Sequence, residues 1–187
     1  MWNFVYTGWI VTERMEGVEV IDAVQAQRDY YEQTAHNYDE IHSEREHVVA
    51  LHYLAAFIEL NEIKSILDVG AGTGRAMRFL RQRFPDLVIK GVEPVAGLRA
   101  IGHQKGIPEE DLIDGEGGNL PFPDDAFDLV IEFAVLHHVR RPELLVSEMV
   151  RVANVGVAIS DSNFIGQGHR SVRLMKLMMY KLGIWPL

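Results

Sequence analysis

The chain has 187 residues, 48% of them hydrophobic and 24% charged, which is ordinary usage for a single globular domain with a sizeable core. A formal charge of −9 argues against a nucleic-acid groove, because phosphate binding needs a basic face. With no cysteine there are no disulfides and no thiolate metal ligands, which suits a reducing, cytoplasmic setting, and no apolar run reaches the length of a membrane span.

The first residues, Trp2 to Val11, are apolar but lack the basic start of a secretory signal. They read either as an upstream extension, with Met15 as the natural start, or as a strand or helix packed on the core. Val18 to Ile41 reads as one or two helices, with Val20, Ile21, Val24 and Tyr31 on one face. His47 to Leu60 is a further helical stretch. A short apolar strand, Ile66–Val69, ends at the turn Gly70-Ala71-Gly72-Thr73-Gly74. A helix over Arg75–Phe84 follows, with Ala76, Phe79 and Leu80 on one face. The second strand is Val88–Val92 and its helix Ala96–Lys105, stopped by Pro108, which cannot continue it. A weak third strand falls near Asp111–Asp114 and a fourth at Leu129–Glu132. Pro142 suits the first turn of a helix running to Val152. A fifth strand at Val157–Ser160 and a helix from His169 to Leu182 complete the pattern.

Strand–helix alternation with such short connections implies an α/β fold, a doubly wound parallel sheet covered on both faces with the first strand central. Ligands of such sheets sit at the carboxyl ends of the strands. Asp68, Glu93, Glu116 and Glu132 all fall near such ends. Asp68 is an acid inside an apolar strand, so it needs loop amides or a ligand as partner. The glycine turn lets backbone approach a ligand closely, and the helix start offers unpaired N–H groups. A dinucleotide site is disfavoured, because Arg75 stands where that fingerprint has its third glycine.

The turn, the strand ending Val92-Glu93-Pro94, the segment Gly115-Glu116-Gly117-Gly118-Asn119 with LPFPD (Leu120–Asp124), and FDLV (Phe127–Val130) followed by LHHV (Leu136–Val139) occur in order. Together they resemble class I S-adenosylmethionine-dependent methyltransferases of the small-molecule group, from about Tyr30 to Asn163. The resemblance implies a Rossmann-like sheet whose last two strands this chain lacks. It implies S-adenosyl-L-methionine as cofactor, with Asp68, Gly70, Gly72 and Gly74 holding the amino acid end and Glu93 the ribose hydroxyls. Pro94 and Val95 would flank the adenine, Glu116 would accept from its amino group, and Gly117 would offer an amide. Glu116 stands where the family commonly has Asp. Phe133 would lie near the methionine moiety, and Glu132 stands where related chains often carry Ser or Asn.

His138 and His137 are candidate bases, since imidazole titrates near operating pH; the alternative is that they pack and bond the loop backbone. Tyr38 is a candidate to lie against the sulfonium or to take a proton; the alternative is an interfacial helix tyrosine. Asp161, Ser162 and Asn163 lie where substrate can be faced, and they equally suit an ordinary turn. The expected function is methyl transfer to a small molecule. Two rivals stay open: a non-catalytic S-adenosylmethionine-binding or interaction protein, and a nicotinamide-dependent oxidoreductase.

The expected organisation is an N-terminal extension with cap helices over residues 1–60 and a cofactor-binding core over residues 61–187. No metal site, nucleic-acid partner or membrane span is expected. The fifth strand is apolar and lies at the sheet edge in the inferred order, so self-association is expected there. The last helix is basic and amphipathic, with a place on the sheet preferred over a membrane surface.

Overall fold

The computed structural model describes residues 23–41, 45–161 and 170–181. Helix α1 spans Ala23–Thr34, a 3-10 turn Ala35–Asn37, α2 Tyr38–Ile41 and α3 Arg45–Leu60. Strands and helices then alternate: β1 Ser65–Val69, α4 Arg75–Arg83, β2 Val88–Val92, α5 Ala96–Gln104, β3 Leu112–Ile113, β4 Phe127–Phe133, α6 Pro142–Val152 and β5 Ala153–Ser160. Helix α7 covers Arg170–Lys181.

The five strands form one sheet in the order β3-β2-β1-β4-β5, with every pairing parallel. The order reverses at β1, so the switch point falls between β1 and β4. The expected doubly wound sheet with a central first strand is therefore observed. Strand β1 is fully sandwiched, which explains why its sequence reads as an uninterrupted apolar run.

Alternation along β1 divides the core. Ile66 faces a layer with Leu51, Leu54 and Ile58 of α3 and Met77 and Leu80 of α4. Leu67 and Val69 face a layer with Leu145, Met149 and Val152 of α6. A third, smaller cluster joins Ala35 to Val95 and Leu98, with Tyr31 and Tyr38 packed against it. It docks the N-terminal helices onto the start of α5, above the carboxyl ends of the strands.

Boundaries shift where pairing decides them. β5 begins at Ala153, directly after α6, rather than at Val157, because Phe127 pairs with Ala153 ahead of a register shift before Leu129. The weak third strand shrinks to Leu112–Ile113, pairing only with Gly91 and Val92. In β5, Val155 and Ile159 are exposed. Helix α7 leaves Leu174, Met175, Leu177 and Met178 exposed, so the apolar face expected on the sheet is not covered by it. Val20, Ile21, Ser162, Asn163 and the segment Trp2–Val11 lie outside the described residues.

Candidate functional site

The glycine turn after β1 uses left-handed backbone three times, with φ of 72° at Gly70, 57° at Gly72 and 70° at Gly74. L-residues pay for that region and glycine does not. At Gly74 a Cβ would also run into Ile107, and at Gly70 into Val135. At Gly72 the space above the backbone belongs to Tyr38, whose ring Cε1 would lie 3.6 Å from an added Cβ. Tyr38 therefore lies over the turn. The N–H groups of Gly70 and Ala71 are both bonded to the carbonyl of Val92, at 2.8 and 3.0 Å, which ties the turn to the end of β2.

Glu93 follows directly. It is 5% exposed, and its carboxylate accepts N–H bonds from Gly72 and Val95, both at 2.9 Å. It bridges the glycine turn to the start of α5. Burial pushes its carboxyl above the ordinary range, against the pull of those two amides. Asp68, in β1, is pushed up to about 7 by burial first, then by the negative charges of Glu93 and Glu132. Glu132, near the end of β4, is fully buried and also pushed up to about 7, by burial opposed by the Val135 amide. One of its oxygens accepts the Val135 N–H at 2.9 Å, while Oε1 has no hydrogen-bond partner among the described residues. Three buried carboxyls thus sit at the same end of three adjacent strands, β2, β1 and β4. Among the described residues no group of three or more His, Cys, Asp or Glu is arranged to hold a metal ion.

The turn after β4 carries strain: Ala134 has φ of 60°, a rare setting for a residue with a Cβ. It is fixed by its N–H bond to the Ser160 carbonyl, 2.8 Å. The histidines follow. His137 Nδ1 lies 2.5 Å from Asp161 Oδ1, and the His137 backbone N–H donates to Asp161 Oδ2 at 3.0 Å. His138 Nε2 lies 2.9 Å from the Tyr31 hydroxyl of α1. The two imidazoles lie against each other with centroids 3.8 Å apart and planes tilted by 49°. Tyr31 meets Tyr38 edge-on at 5.7 Å. A continuous line of rings thus runs from the glycine turn to the end of β5. Burial first, then Tyr31 and Glu93, raises the Tyr38 phenol far above its ordinary pKa.

Further along, Phe133 meets His47 of α3 edge-on. Gly117 has no room for a side chain, since a Cβ would come within 2.7 Å of Leu145. Glu116 is half exposed, and its carboxylate is paired with Arg28 of α1 at 2.5 Å. Pro94 is half-buried between Glu93 and Val95.

Several site residues take partners that no local pattern announces. Asp39 takes the Thr73 hydroxyl at 2.5 Å and Lys105 at 2.6 Å, bonds that outweigh burial and hold its carboxyl below the usual range. It fastens the cap to the start of α4. Glu32 accepts the Gly97 N–H at 2.9 Å, capping α5 from α1. Arg151 binds the Leu120 and Phe122 carbonyls together with Glu148 and Asp124, which shapes the LPFPD loop. Asp161, just past the fifth strand, is marked by its position, and Asp39 by the likeness of the Tyr38-Asp39 pair to a segment that closes over the cofactor in the family.

Comparison with known proteins follows the same geometry. Residues 67–159 match the family model described as a methyltransferase domain. The chain is 40% identical over 106 residues to the ubiquinone/menaquinone biosynthesis C-methyltransferase of Geobacter sulfurreducens, covering 53% of this chain and 41% of that protein. It is 32% identical over 101 residues to ajmaline N-methyltransferase of Rauvolfia serpentina, covering 51% of this chain and 34% of that one. The chain therefore spans about a third to two fifths of the length of these curated relatives. Among solved structures, magnesium protoporphyrin IX methyltransferase of Synechocystis, with bound S-adenosylmethionine, shares the fold at TM-score 0.63 and 15% identity over 86% of each chain.

Proposed function

From a chain that belongs to the class I S-adenosylmethionine-dependent methyltransferases, we propose methyl transfer from S-adenosyl-L-methionine to a small-molecule acceptor. The observation that carries this reading is the trio Asp68, Glu93 and Glu132, buried side by side below the glycine turn, with Glu132 Oε1 lacking a partner among the described residues. Crowded buried carboxyls favour a cationic ligand, which lets them ionise. The cofactor carries an ammonium and a sulfonium beside a ribose, which fits that donor set.

When bound, the cofactor supplies a methyl group already activated on sulfur. The remaining work belongs to this chain. Asp68 and the turn of Gly70, Gly72 and Gly74 would hold the amino acid end, the glycines by letting the backbone come close, since their own N–H groups are bonded to Val92, Glu93 and Ala71. Glu93 would accept the ribose hydroxyls. Both of its oxygens are already bonded to amides, but each keeps a further lone pair. Pro94, Glu116 and Gly117 would border the adenine, and Phe133 the methionine chain. Glu132 would face the positive charge. Tyr38 would cover the site; its raised pKa keeps the phenol neutral, which disfavours it as a base and suits a cation–π contact. The cap and the covering rings exclude water and align the acceptor, the main tasks in an in-line displacement.

An acceptor that must lose a proton would give it to His137. Asp161 fixes that ring through Nδ1, leaving Nε2 as the acceptor nitrogen. His138 is occupied by Tyr31, which favours a positioning role for it. Support for a small-molecule acceptor comes from the named N- and C-methyltransferases among the relatives, whose acceptor atoms differ. The division into a cap up to residue 60 and a core from residue 61, and a cytoplasmic setting, are parts of the same proposal. So is self-association along β5, supported by the exposure of Val155 and Ile159 at the sheet edge; light scattering that shows a monomer at high concentration removes it.

Calorimetry with S-adenosylmethionine, S-adenosylhomocysteine and NAD tests the function. Binding of the first two and not of NAD is expected, followed by S-adenosylhomocysteine release on a mixed metabolite pool. NAD binding instead would restore the oxidoreductase. Cofactor binding with no turnover on any pool would leave a non-catalytic binder.

A further inference from the structure

Helix α1 touches both loops that border the adenine end of the proposed site. Arg28 pairs with Glu116 in the loop after β3, 88 residues away, at 2.5 Å. One turn further along α1, Glu32 accepts the Gly97 amide at the start of α5, 2.9 Å away. A Cβ at Gly97 would meet the end of the Glu32 side chain at 2.9 Å, which shows how closely that carboxylate lies over the start of α5. The spacing of four residues places both side chains on one helix face. Apolar docking of Tyr31 and Ala35 with Val95 and Leu98 supports the same placement.

Glu116 by itself is a poor reader of a base. Its side chain is 58% exposed, and its stem is one methylene longer than that of Asp. Left alone it would sample many rotamers, each lowering the fraction ready to accept a hydrogen bond. The Arg28 bond uses Oε1, and a carboxylate has further lone pairs for a second donor.

We propose that Arg28 is a positioning residue for adenine recognition: it holds the Glu116 carboxylate so that its second oxygen accepts the exocyclic amino group of the cofactor. The N-terminal helix thereby takes part in choosing the base, rather than only covering the site. This inference rests on the methyltransferase reading. An adenine amino group donates to the fixed oxygen. A hypoxanthine ring presents a carbonyl there instead, so two acceptors face each other. Wild-type protein should therefore prefer S-adenosylhomocysteine over S-inosylhomocysteine.

Calorimetry with those two probes on the full chain tests it. Arg28→Ala should weaken S-adenosylhomocysteine about fivefold, the scale of an exposed ion pair. It should also narrow the adenine-to-hypoxanthine preference, and Arg28→Lys should restore part of both. Glu116→Gln combined with Arg28→Ala should be no weaker than Glu116→Gln alone, because Arg28 acts through that carboxylate. If Arg28→Ala melts too low to assay, Arg28→Gln is read in its place. An unchanged or tighter affinity, an unchanged base preference, or additive losses in the double variant each overturn the inference. Failure of wild-type protein to bind S-adenosylhomocysteine at all would instead overturn the methyltransferase reading.

Discussion

On the glycine-turn side of the site, Glu93 bonds Val95 two residues away and Gly72 twenty-one residues away, both through backbone amides. On the histidine side, His138 meets Tyr31 across 107 residues and His137 meets Asp161 across 24, side chain to side chain. The first region is built by two neighbouring strands and the turns that leave them. Its donors are amides, whose positions follow once β1 and β2 pair. The second exists only when the N-terminal helices dock and β5 pairs with β4. The first is built on left-handed glycines and a buried carboxylate, while the second carries the strained Ala134 and depends on the whole assembly.

That contrast can be broken most forcefully at Gly74. Gly74→Ala imposes a left-handed setting on a residue with a Cβ and drives that atom into Ile107. A loss of about 2–4 kcal/mol in denaturant unfolding is expected. A variant with the wild-type midpoint would show that the turn is not the rigid half.

The histidine side is sharpened next. With an acceptor drawn from the metabolite pool, His137→Gln should lower turnover about a hundredfold and leave S-adenosylhomocysteine affinity within about twofold. Asp161→Asn should reproduce much of the loss and displace the pH–rate profile. A larger loss in His138→Gln than in His137→Gln would exchange the two roles.

Glu93→Ala should weaken S-adenosylhomocysteine about tenfold or more, since bonds to a charged acceptor contribute about 1.5–3 kcal/mol each. Calorimetry of the folded variant checks this, and an unchanged dissociation constant would take Glu93 out of the site.

The smallest effect concerns Asp68. Its carboxyl titrates at about 7 in the fold against 3.8 for the ordinary group. Between those values the folded protein keeps a proton that the unfolded chain has released. Stability contributed by this group is therefore complete below the lower value and lost as pH rises through the upper one. Asp68→Asn should thus gain stability on the order of 1 kcal/mol at pH 8 while cofactor binding falls. Unfolding measured across pH should show a flatter slope in the variant. A variant destabilised at pH 8 would mean that the carboxylate is already compensated without ligand.

The strand and helix alternation was legible because each element has its own period. β2, Val88–Val92, and α6, Pro142–Val152, lie where the apolar pattern and Pro142 put them. The glycine turn was legible because left-handed backbone selects its residue. The onset of β5 was not, because pairing with Phe127 recruits Ala153 and Asn154, which have no strand signature of their own. The exposed face of α7 was not either, since an amphipathic pattern names a face but not what it meets.

Sequence by itself determined the parallel sheet, the turn after β1 and the acids at the strand ends, because these follow from periodicity, backbone sterics and the short range of strand-to-turn contacts. Tertiary structure alone decided the partners. It paired His137 with Asp161, His138 with Tyr31, Asp39 with Thr73 and Lys105, and Arg28 with Glu116. Side-chain pairs between distant segments depend on how helices dock, and docking depends on complementary surfaces that no local pattern encodes.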